Sequence, residues 1–186
     1  MNNVVLIILF LISAYLYVPL NRRKSKYYWK SKIDEKIALI LIFVIPYVFY
    51  FVYFVIAFLF LFNSIYFSKF LVFFIIVNVI SSVFWYIFPN GVKRPILKPK
   101  NVFEKLLLFI YKKDKYDTNG CPSGHVFHSL TNSLFLSLVL PEYSAIFWSI
   151  GILISMSTVF VKQHYIIDVI GGIFIFGMTY IISNFF

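Results

Sequence analysis

Two histidines with chemically useful neighbours stand at the edges of apolar stretches. His125 ends a Pro-Ser-Gly-His run, and His164 is followed four residues later by Asp168. An ionisable residue at the edge of a membrane segment is costly and therefore counts as a functional candidate. With Arg94, in the polar segment before them, these residues provide a cation, two imidazoles and a carboxylate. Such a set suits phosphoryl transfer through a histidine nucleophile.

The segment around His125 has the features of an anion site. Ser123, Gly124 and His125 are expected to open a helix, whose first N–H groups and positive dipole end attract anions. Ser123 offers a hydroxyl, and Gly124 allows close backbone approach. His128, one turn later, lies deeper in the apolar run, so we expect it to be a packed, hydrogen-bonded histidine.

Arg94 and the His164 segment are expected on the same side of the membrane. Pro95 keeps Arg94 out of a helix, so its planar guanidinium can face phosphate oxygens, with a snorkelling arginine as the alternative. If residues 164 to 183 are helical, His164 and Asp168 stack at i and i+4, and the carboxylate leaves one imidazole nitrogen free. The glycines at 171 and 172 would let a neighbouring helix approach closely.

The composition is that of a membrane protein. The chain has 186 residues, of which 61% are hydrophobic, and a mean hydropathy of +0.88, more apolar than a soluble domain of this length can bury. Since about 20 apolar residues cross a bilayer, the pattern predicts an all-α, multi-pass transmembrane bundle of about six helices in one domain, residues 1–186. The first run is expected to be a membrane helix and not a cleaved signal peptide, because no basic residue precedes it. The predicted runs are residues 3–20, 37–62, 70–88, 125–140, 143–161 and 166–186.

The net charge of +10 is concentrated in two loops. With six crossings, all Lys and Arg residues except Lys69 share one membrane face, and that face also carries the three segments described above. The positive-inside rule makes it cytoplasmic, with attraction to anionic membrane lipids as a second role for the lysines. Nucleic-acid binding is not expected, because no recognition fold accompanies the charge. Residues 103 to 111 are expected to form an interfacial amphipathic helix, and the single cysteine, Cys121, is expected to be structural.

Together these segments resemble the type-2 phosphatidic acid phosphatase superfamily of membrane lipid phosphatases and phosphotransferases. That pattern is Lys, six residues, Arg-Pro; then Pro-Ser-Gly-His; then Ser-Arg, five residues, His, three residues, Asp. The resemblance covers about residues 85 to 172 and includes the six-helix plan. The matching positions are Arg94-Pro95, Pro122-Ser123-Gly124-His125, Ser157, His164 and Asp168.

Two positions depart from the pattern. Ile87 stands where the first Lys is expected and Thr158 where the second Arg is expected. Such substitutions are similar to those of the divergent branch that includes inositol phosphorylceramide synthases. Lys93 or Lys162 would then supply the missing charge.

The resemblance implies a mechanism without metal or cofactor. His164 would attack phosphorus to give a phosphohistidine, Asp168 would orient it, and His125 would protonate the leaving oxygen and then activate the acceptor. Arg94 with Ser123 and the Gly124 N–H would hold the phosphoryl charge. The substrate would be a lipid or isoprenoid phosphate.

Two alternatives and one conflict accompany this interpretation. A catalytically silent binder or carrier of lipid phosphates is compatible with the missing cations at positions 87 and 158. A haem-binding bundle would have no use for the three motifs at these spacings. The charge bias makes the active face cytoplasmic, whereas bacterial and surface members of the family usually act on the outer face of the cell membrane.

Overall fold

The apolar runs fold as helices, because backbone polar groups in hydrocarbon must be paired within their own segment. The computed structural model describes residues 2–114, 116 and 118–183. Its helices are α1 (Asn3–Tyr15), α2 (Tyr17–Asn21), α3 (Lys32–Lys36), α4 (Val44–Leu61), α5 (Phe67–Ile87), α6 (Val102–Lys113), α7 (Gly124–Val139), α8 (Ser144–Phe160) and α9 (Ile166–Ser183).

Five segments of the described chain are long and apolar enough to cross a membrane. They are Asn3–Asn21, Leu41–Leu61, Phe67–Ile87, Pro141–Phe160 and Ile166–Ser183. They confirm five of the six predicted runs and the prediction of a multi-pass helical bundle; residues 184–186 of the last run lie outside the described part.

The sixth predicted run, residues 125–140, is helix α7. Its 16 residues span roughly 24 Å, less than the roughly 30 Å of hydrocarbon core. Helix α7 contacts α4, α5, α8 and α9, and five consecutive side chains from Ser129 to Ser133 are buried. Because it is buried on all sides over these residues, this part of α7 does not face lipid. Helix α7 is therefore the central helix of the bundle, and its first turn lies at one end of the bundle.

The two basic loops meet at that same end of the bundle. The Lys26 N–H donates to the Pro89 carbonyl at 2.7 Å, and the Gly91 N–H donates to the Tyr27 carbonyl at 2.9 Å. The Thr118 hydroxyl donates to the Arg23 carbonyl at 2.6 Å. In the described part of the chain the two basic segments therefore lie at one end of the bundle, as the prediction of a shared face requires; Lys115, which belongs to the second segment, lies outside that part.

The amphipathic helix predicted for residues 103 to 111 is present as α6. The Asn101 side chain accepts the Glu104 N–H at 2.9 Å and so caps its start. Leu107, on its apolar face, is fully buried in a cluster with Val44 and Val161. Helix α6 therefore lies across the end of the bundle, beside α4.

Helix α9 begins at Ile166, where the predicted apolar run begins, and not at residue 164, as the helical stacking of His164 on Asp168 requires. His164 precedes it, and Asp168 lies in its first turn. The Asp168 carboxylate reaches back to accept the Tyr165 N–H at 2.9 Å, as an N3 acid does at a helix start. The predicted helical stacking of His164 on Asp168 is therefore wrong, and the two side chains meet across the turn that opens α9.

Helix α9 packs tightly against the start of α7, as the glycine pair predicted. A Cβ on Gly172 would lie 2.7 Å from the Val126 Cβ and 2.9 Å from the Ser123 carbonyl oxygen. The Ser123 N–H donates to the Asp168 carbonyl at 2.9 Å. This close approach holds the two motif-bearing helix starts side by side.

Candidate active site

A cavity of about 610 Å³ opens at the end of the bundle where the basic loops meet. Its walls come from α1, α2, α4, α5, α6, the start of α7 and the turn before α9. The predicted residues that line it are Arg94, Gly124, His125 and His164. Three segments that are distant in sequence therefore contribute to one chamber.

His164 is held by a carboxylate that has no exposure to solvent. The His164 Nδ1 lies 3.3 Å from the Asp168 Oδ2, and Asp168 is 0% exposed. Because a carboxylate only accepts hydrogen bonds, Nδ1 carries the proton and Nε2 keeps its lone pair. The His164 N–H is also fixed, by donation to the Thr158 carbonyl at 3.1 Å. Both the backbone and the ring of His164 are thus held by hydrogen bonds.

Asp168 is itself oriented by a second contact. The Asn90 Nδ2 donates to its Oδ1 at 3.4 Å, while the Asn90 Oδ1 accepts the Cys121 N–H at 2.9 Å. A Cβ on Gly120 would come within 3.1 Å of Asp168 Oδ2. The loop before α7 therefore packs closely against the carboxylate and helps to hold the His164–Asp168 pair in place.

His125 lies across the cavity from His164. Their ring centroids are 6.0 Å apart. The His125 ring lies between two tyrosines of α4, at 4.5 Å from the Tyr47 ring and 4.3 Å from the Tyr50 ring. Its Nε2 is buried and has no hydrogen-bond partner among the described residues. An imidazole that is fixed by ring contacts but has a free nitrogen is well arranged to carry a proton.

The start of α7 presents backbone to the cavity. Gly124, the first residue of the helix, lines it, and the first N–H groups of a helix have no intrahelical acceptor. Ser123, the N-cap residue, is fully buried and does not line the cavity. Contrary to the expectation, the Ser123 hydroxyl lies behind the cavity wall, because its N–H is tied to the Asp168 carbonyl.

Arg94 lines the cavity from a non-helical segment, as expected, but it is already paired. Its guanidinium binds the carboxylate and the carbonyl of Asp114, which follows α6, and lies 5.2 Å from the centre of the Tyr111 ring. The side chain is only 13% exposed. Its Nε is buried without a partner among the described residues. Arg94 therefore brings positive charge to the chamber while Asp114 neutralises part of it.

The two lysines proposed as substitute cations do not line the cavity. The Lys162 Nζ donates to the carbonyls of Asp34 and Ile37, and burial lowers the pKa of this amine. The Lys93 Nζ lies 5.3 Å from the centre of the Tyr28 ring. The expectation that Lys162 or Lys93 faces the phosphate is corrected: the turn at Lys162 has a φ of 56° and directs its side chain to the loop after α3.

The two departing positions also lie away from the chamber lining. Ile87 is exposed at the end of α5. Thr158 is buried, and its hydroxyl donates to the Ser155 carbonyl at 2.7 Å. Neither side chain supplies charge, so any replacement must come from another residue.

Gln163 is a cavity residue that the sequence interpretation missed. It is 4% exposed, lines the chamber beside His164, and its Nε2 has no hydrogen-bond partner among the described residues. Its position directly before the motif histidine was the available signal. A neutral amide attracted less attention than the neighbouring Lys162, although an amide N–H can bind an anionic oxygen equally directly.

His128 and Cys121 have the structural roles that were expected. The His128 ring bonds to the Tyr50 hydroxyl at 2.7 Å and to the Asn78 Oδ1 at 2.8 Å. Cys121 is buried, and this burial, followed by the nearby Asp168 charge, raises the pKa of its thiol to about 12. The thiol therefore stays protonated and unreactive at neutral pH. Within the described chain, no group of three or more His, Cys, Asp or Glu residues could hold a metal ion.

Comparison with known families agrees with this geometry. A family model, that of the PAP2 superfamily, matches residues 69–185. The chain belongs to the PAP2 superfamily. Members of this superfamily are phosphatases, and membership supports, in general terms, a phosphatase or phosphotransferase of lipid phosphates. Searches of curated proteins and of solved structures give no match.

The part of the chain outside the matched residues still contributes to the cavity. The matched range contains Arg94, His125, His164 and Asp168. It omits α1, α2, α3 and α4, and α4 supplies both rings that hold His125. The membrane helices before residue 69 are therefore part of the site as well as of the bundle.

Proposed function

We propose that this protein hydrolyses or transfers the phosphoryl group of a lipid or isoprenoid phosphate through a phosphohistidine at His164. One observation carries the proposal: His164, held by the buried Asp168 carboxylate, lines the same 610 Å³ cavity as His125 and Arg94. The apolar walls of that cavity, in a membrane bundle, favour a phosphate ester with a hydrocarbon tail over a soluble one.

His164 is the nucleophile in this proposal. Its Nδ1–H donates to Asp168, so the Nε2 lone pair attacks phosphorus and forms the P–N bond as the ester P–O bond breaks. The positive charge that develops on the imidazole is stabilised by the buried Asp168 carboxylate, through a charge-assisted hydrogen bond.

His125 transfers the proton in both steps. In the first step it donates a proton to the leaving oxygen, and in the second it removes one from the water or alcohol that takes the phosphoryl group. The His125 and His164 ring centroids are 6.0 Å apart and both residues line the cavity, so both imidazoles can contact one phosphoryl group bound there. The Tyr47 and Tyr50 rings keep the imidazole in place through both steps.

The phosphoryl oxygens are bound by groups from three segments. The Gly124 N–H and the positive end of the α7 dipole bind them from one side. The Arg94 guanidinium, whose position is fixed by Asp114, binds them from another. The Gln163 Nε2 takes the place of the arginine that Thr158 replaces. In enzymes that stabilise a charged transition state in this way, removing one hydrogen-bond donor costs about 2.7 to 4 kcal/mol of transition-state stabilisation.

A purified-protein assay tests the proposal. Phosphate release and transfer are measured over a panel of lipid phosphates, with and without acceptor alcohols, for the parent and for His164→Asn. We expect turnover and an acid-labile phosphoenzyme in the parent, and neither in the variant at an unchanged melting temperature. A variant that keeps substantial turnover would exclude His164 as the nucleophile.

A second variant tests the role of His125. His125→Ala should lose more activity on alkyl phosphates than on activated aryl phosphates, because an aryl oxide leaves without protonation. Equal losses on both substrate types would remove His125 from the acid role.

A silent lipid-phosphate binder is the second candidate, and one observation favours it. The Arg94 guanidinium is bound by Asp114, and neither Lys93 nor Lys162 lines the cavity to replace the cations missing at positions 87 and 158. Saturable binding of a lipid phosphate with no turnover on any member of the panel would establish this alternative.

We further propose that the protein lies in the cell membrane with the basic loops and the active face on one side. The side is measured with a cysteine introduced at Lys112, on α6, and a membrane-impermeant thiol reagent. Cys121 is buried with a raised pKa, so it contributes little background. Labelling in intact cells indicates the outer face, and labelling only after lysis indicates the cytoplasmic face.

A further inference from the structure

A smaller apolar pocket of about 150 Å³, here called the inner pocket, lies beside the active-site cavity. It borders α1, α4, α5 and α7. The two spaces are neighbours, because the same side chains border both: Ala14, Tyr50, Phe51, Asn78 and His128.

The inner pocket extends away from the basic end of the bundle. Its deeper lining residues are Phe10 on α1, Phe54 on α4 and Phe74 on α5. Phe54 lies four residues beyond Tyr50, which is roughly 6 Å along the helix axis. The pocket therefore reaches about one helical turn deeper into the membrane than the catalytic histidines.

Three phenylalanine rings close the inner end of the pocket. The ring centroids of Phe10 and Phe54 are 5.9 Å apart, those of Phe10 and Phe74 are 5.7 Å apart, and those of Phe54 and Phe74 are 5.5 Å apart. Each ring contacts the other two, so they form a triangle. These rings therefore form an apolar wall at the end of the pocket that is farthest from the catalytic histidines.

The junction between the two spaces presents no unpaired polar group to an apolar occupant. Tyr50 bonds to His128, His128 bonds to Asn78, and the Asn78 Nδ2 donates to the Ser13 Oγ at 3.2 Å. The Ser13 hydroxyl in turn donates to the Phe10 carbonyl at 2.8 Å. Because these groups satisfy one another, hydrocarbon can pass them without leaving a buried polar atom unbonded.

We propose that the inner pocket binds the phosphate-proximal segment of the substrate's hydrocarbon tail, and that the Phe10–Phe54–Phe74 triangle sets the length that is bound. This inference rests on the proposed function and names a subsite for it. The occupant follows from the border that the inner pocket shares with the phosphate cavity and from its apolar lining. The remainder of a longer tail leaves through the seam between α1 and α4, whose outer faces are apolar and exposed.

A chain-length series tests the proposal. kcat/KM is measured for n-alkyl monophosphates of increasing length, with a soluble aryl phosphate as the reference. While the pocket fills, each methylene should raise kcat/KM about fourfold, the equivalent of about 0.8 kcal/mol per buried methylene. Once the tail reaches the triangle, the gain per methylene should fall sharply.

Two substitutions of one ring should move that break in opposite directions. Phe54→Ala opens the end of the pocket and should shift the break to longer chains, whereas Phe54→Trp should shift it to shorter ones. Phe60→Ala, which removes an exposed ring of the same helix, is the matched control and should leave the break unchanged. Dividing each variant's kcat/KM by the parental value at the same chain length cancels partition into detergent.

Each outcome has a defined meaning. A break that moves with Phe54 in both directions supports the tail pocket. Turnover of the aryl phosphate together with no break, or with a break that ignores both Phe54 variants, overturns the tail pocket alone. Turnover of no phosphate ester at all overturns the proposed function, and this inference with it. Because the tryptophan variant keeps an aromatic ring in the triangle, the test does not depend on the alanine variant being stable.

Discussion

Asp168→Asn separates the chemical role of the buried carboxylate from its structural role. In the parent, Asp168 Oδ2 accepts both the Tyr165 N–H and the His164 Nδ1–H, and Oδ1 accepts from the Asn90 Nδ2. An asparagine has one acceptor oxygen, so one of its two positions must become a donor. Asn90 cannot compensate by rotating, because its Oδ1 accepts the Cys121 N–H.

The expected loss follows from these contacts. If the asparagine oxygen occupies the Oδ2 position, its NH₂ faces the Asn90 donor; in the other orientation it faces two N–H groups. The first orientation keeps His164 in place but removes the negative charge. A hydrogen bond to a charged group contributes about 1.5 to 3 kcal/mol, so kcat should fall about 10- to 150-fold, at about 1.4 kcal/mol for each factor of ten.

The assay compares kcat, phosphoenzyme formation and melting temperature with those of Asp34→Asn. Asp34, on α3, is also a buried carboxylate. Its Oδ1 accepts the N–H of Ile166, the first residue of α9, at 2.9 Å. It does not line the cavity. Asp34→Asn should therefore lower the melting temperature and leave kcat near the parental value. The reasoning fails if Asp168→Asn keeps kcat within about threefold of the parent, or if both variants lose kcat equally.

The remaining predictions concern the cavity charges and the loop that ends near them. Gln163→Met should cost about 2.7 to 4 kcal/mol of transition-state stabilisation, whereas Lys162→Met should keep kcat/KM and lose only stability; the opposite ranking would return the cation role to Lys162. Asp114→Asn removes a negative charge beside Arg94, on the order of 1 kcal/mol, so vanadate should inhibit it several-fold more tightly, and unchanged inhibition would contradict this. Activity should survive EDTA; loss on chelation that Mg²⁺ restores would refute a metal-independent reaction. Burial raises the pKa of Asp34, but hydrogen bonds from Ser31 and the Ile166 N–H outweigh this effect, so the pKa is lowered. The ionised carboxylate therefore stabilises the fold above the unfolded pKa of about 3.9, and this stabilisation is lost below it. The melting-temperature difference between the parent and Asp34→Asn should shrink as the pH falls through that range.

The helices and the motif-bearing segments could be predicted from the sequence, because both depend on local properties. A run of apolar residues must satisfy its backbone within itself in hydrocarbon, so the helical runs follow from hydropathy alone. The spacing of His164 and Asp168 brings them together through a single turn of chain, even though the helix starts at Ile166. The Pro-Ser-Gly-His run likewise predicted the helix start at Gly124.

The tertiary structure decided the directions of the side chains and the residues that they contact. Lys162 and Gln163 are adjacent in sequence, yet one binds carbonyls near α3 and the other lines the cavity. Arg94 meets Asp114 only because α6 folds back over the bundle. These contacts join residues far apart in sequence, and hydropathy and spacing carry no information about such distances.

The rings around the histidines and the tail pocket belong to the same category. Tyr47 and Tyr50 lie in an apolar run with no motif, and only the packing of α4 on α7 brings them to His125. Phe10, Phe54 and Phe74 are ordinary membrane-helix residues in the sequence, and they form a closed end only where three helices converge. Membrane burial determined that these residues are apolar, because the bilayer excludes polar side chains. The packing of the bundle determined which of them face the substrate.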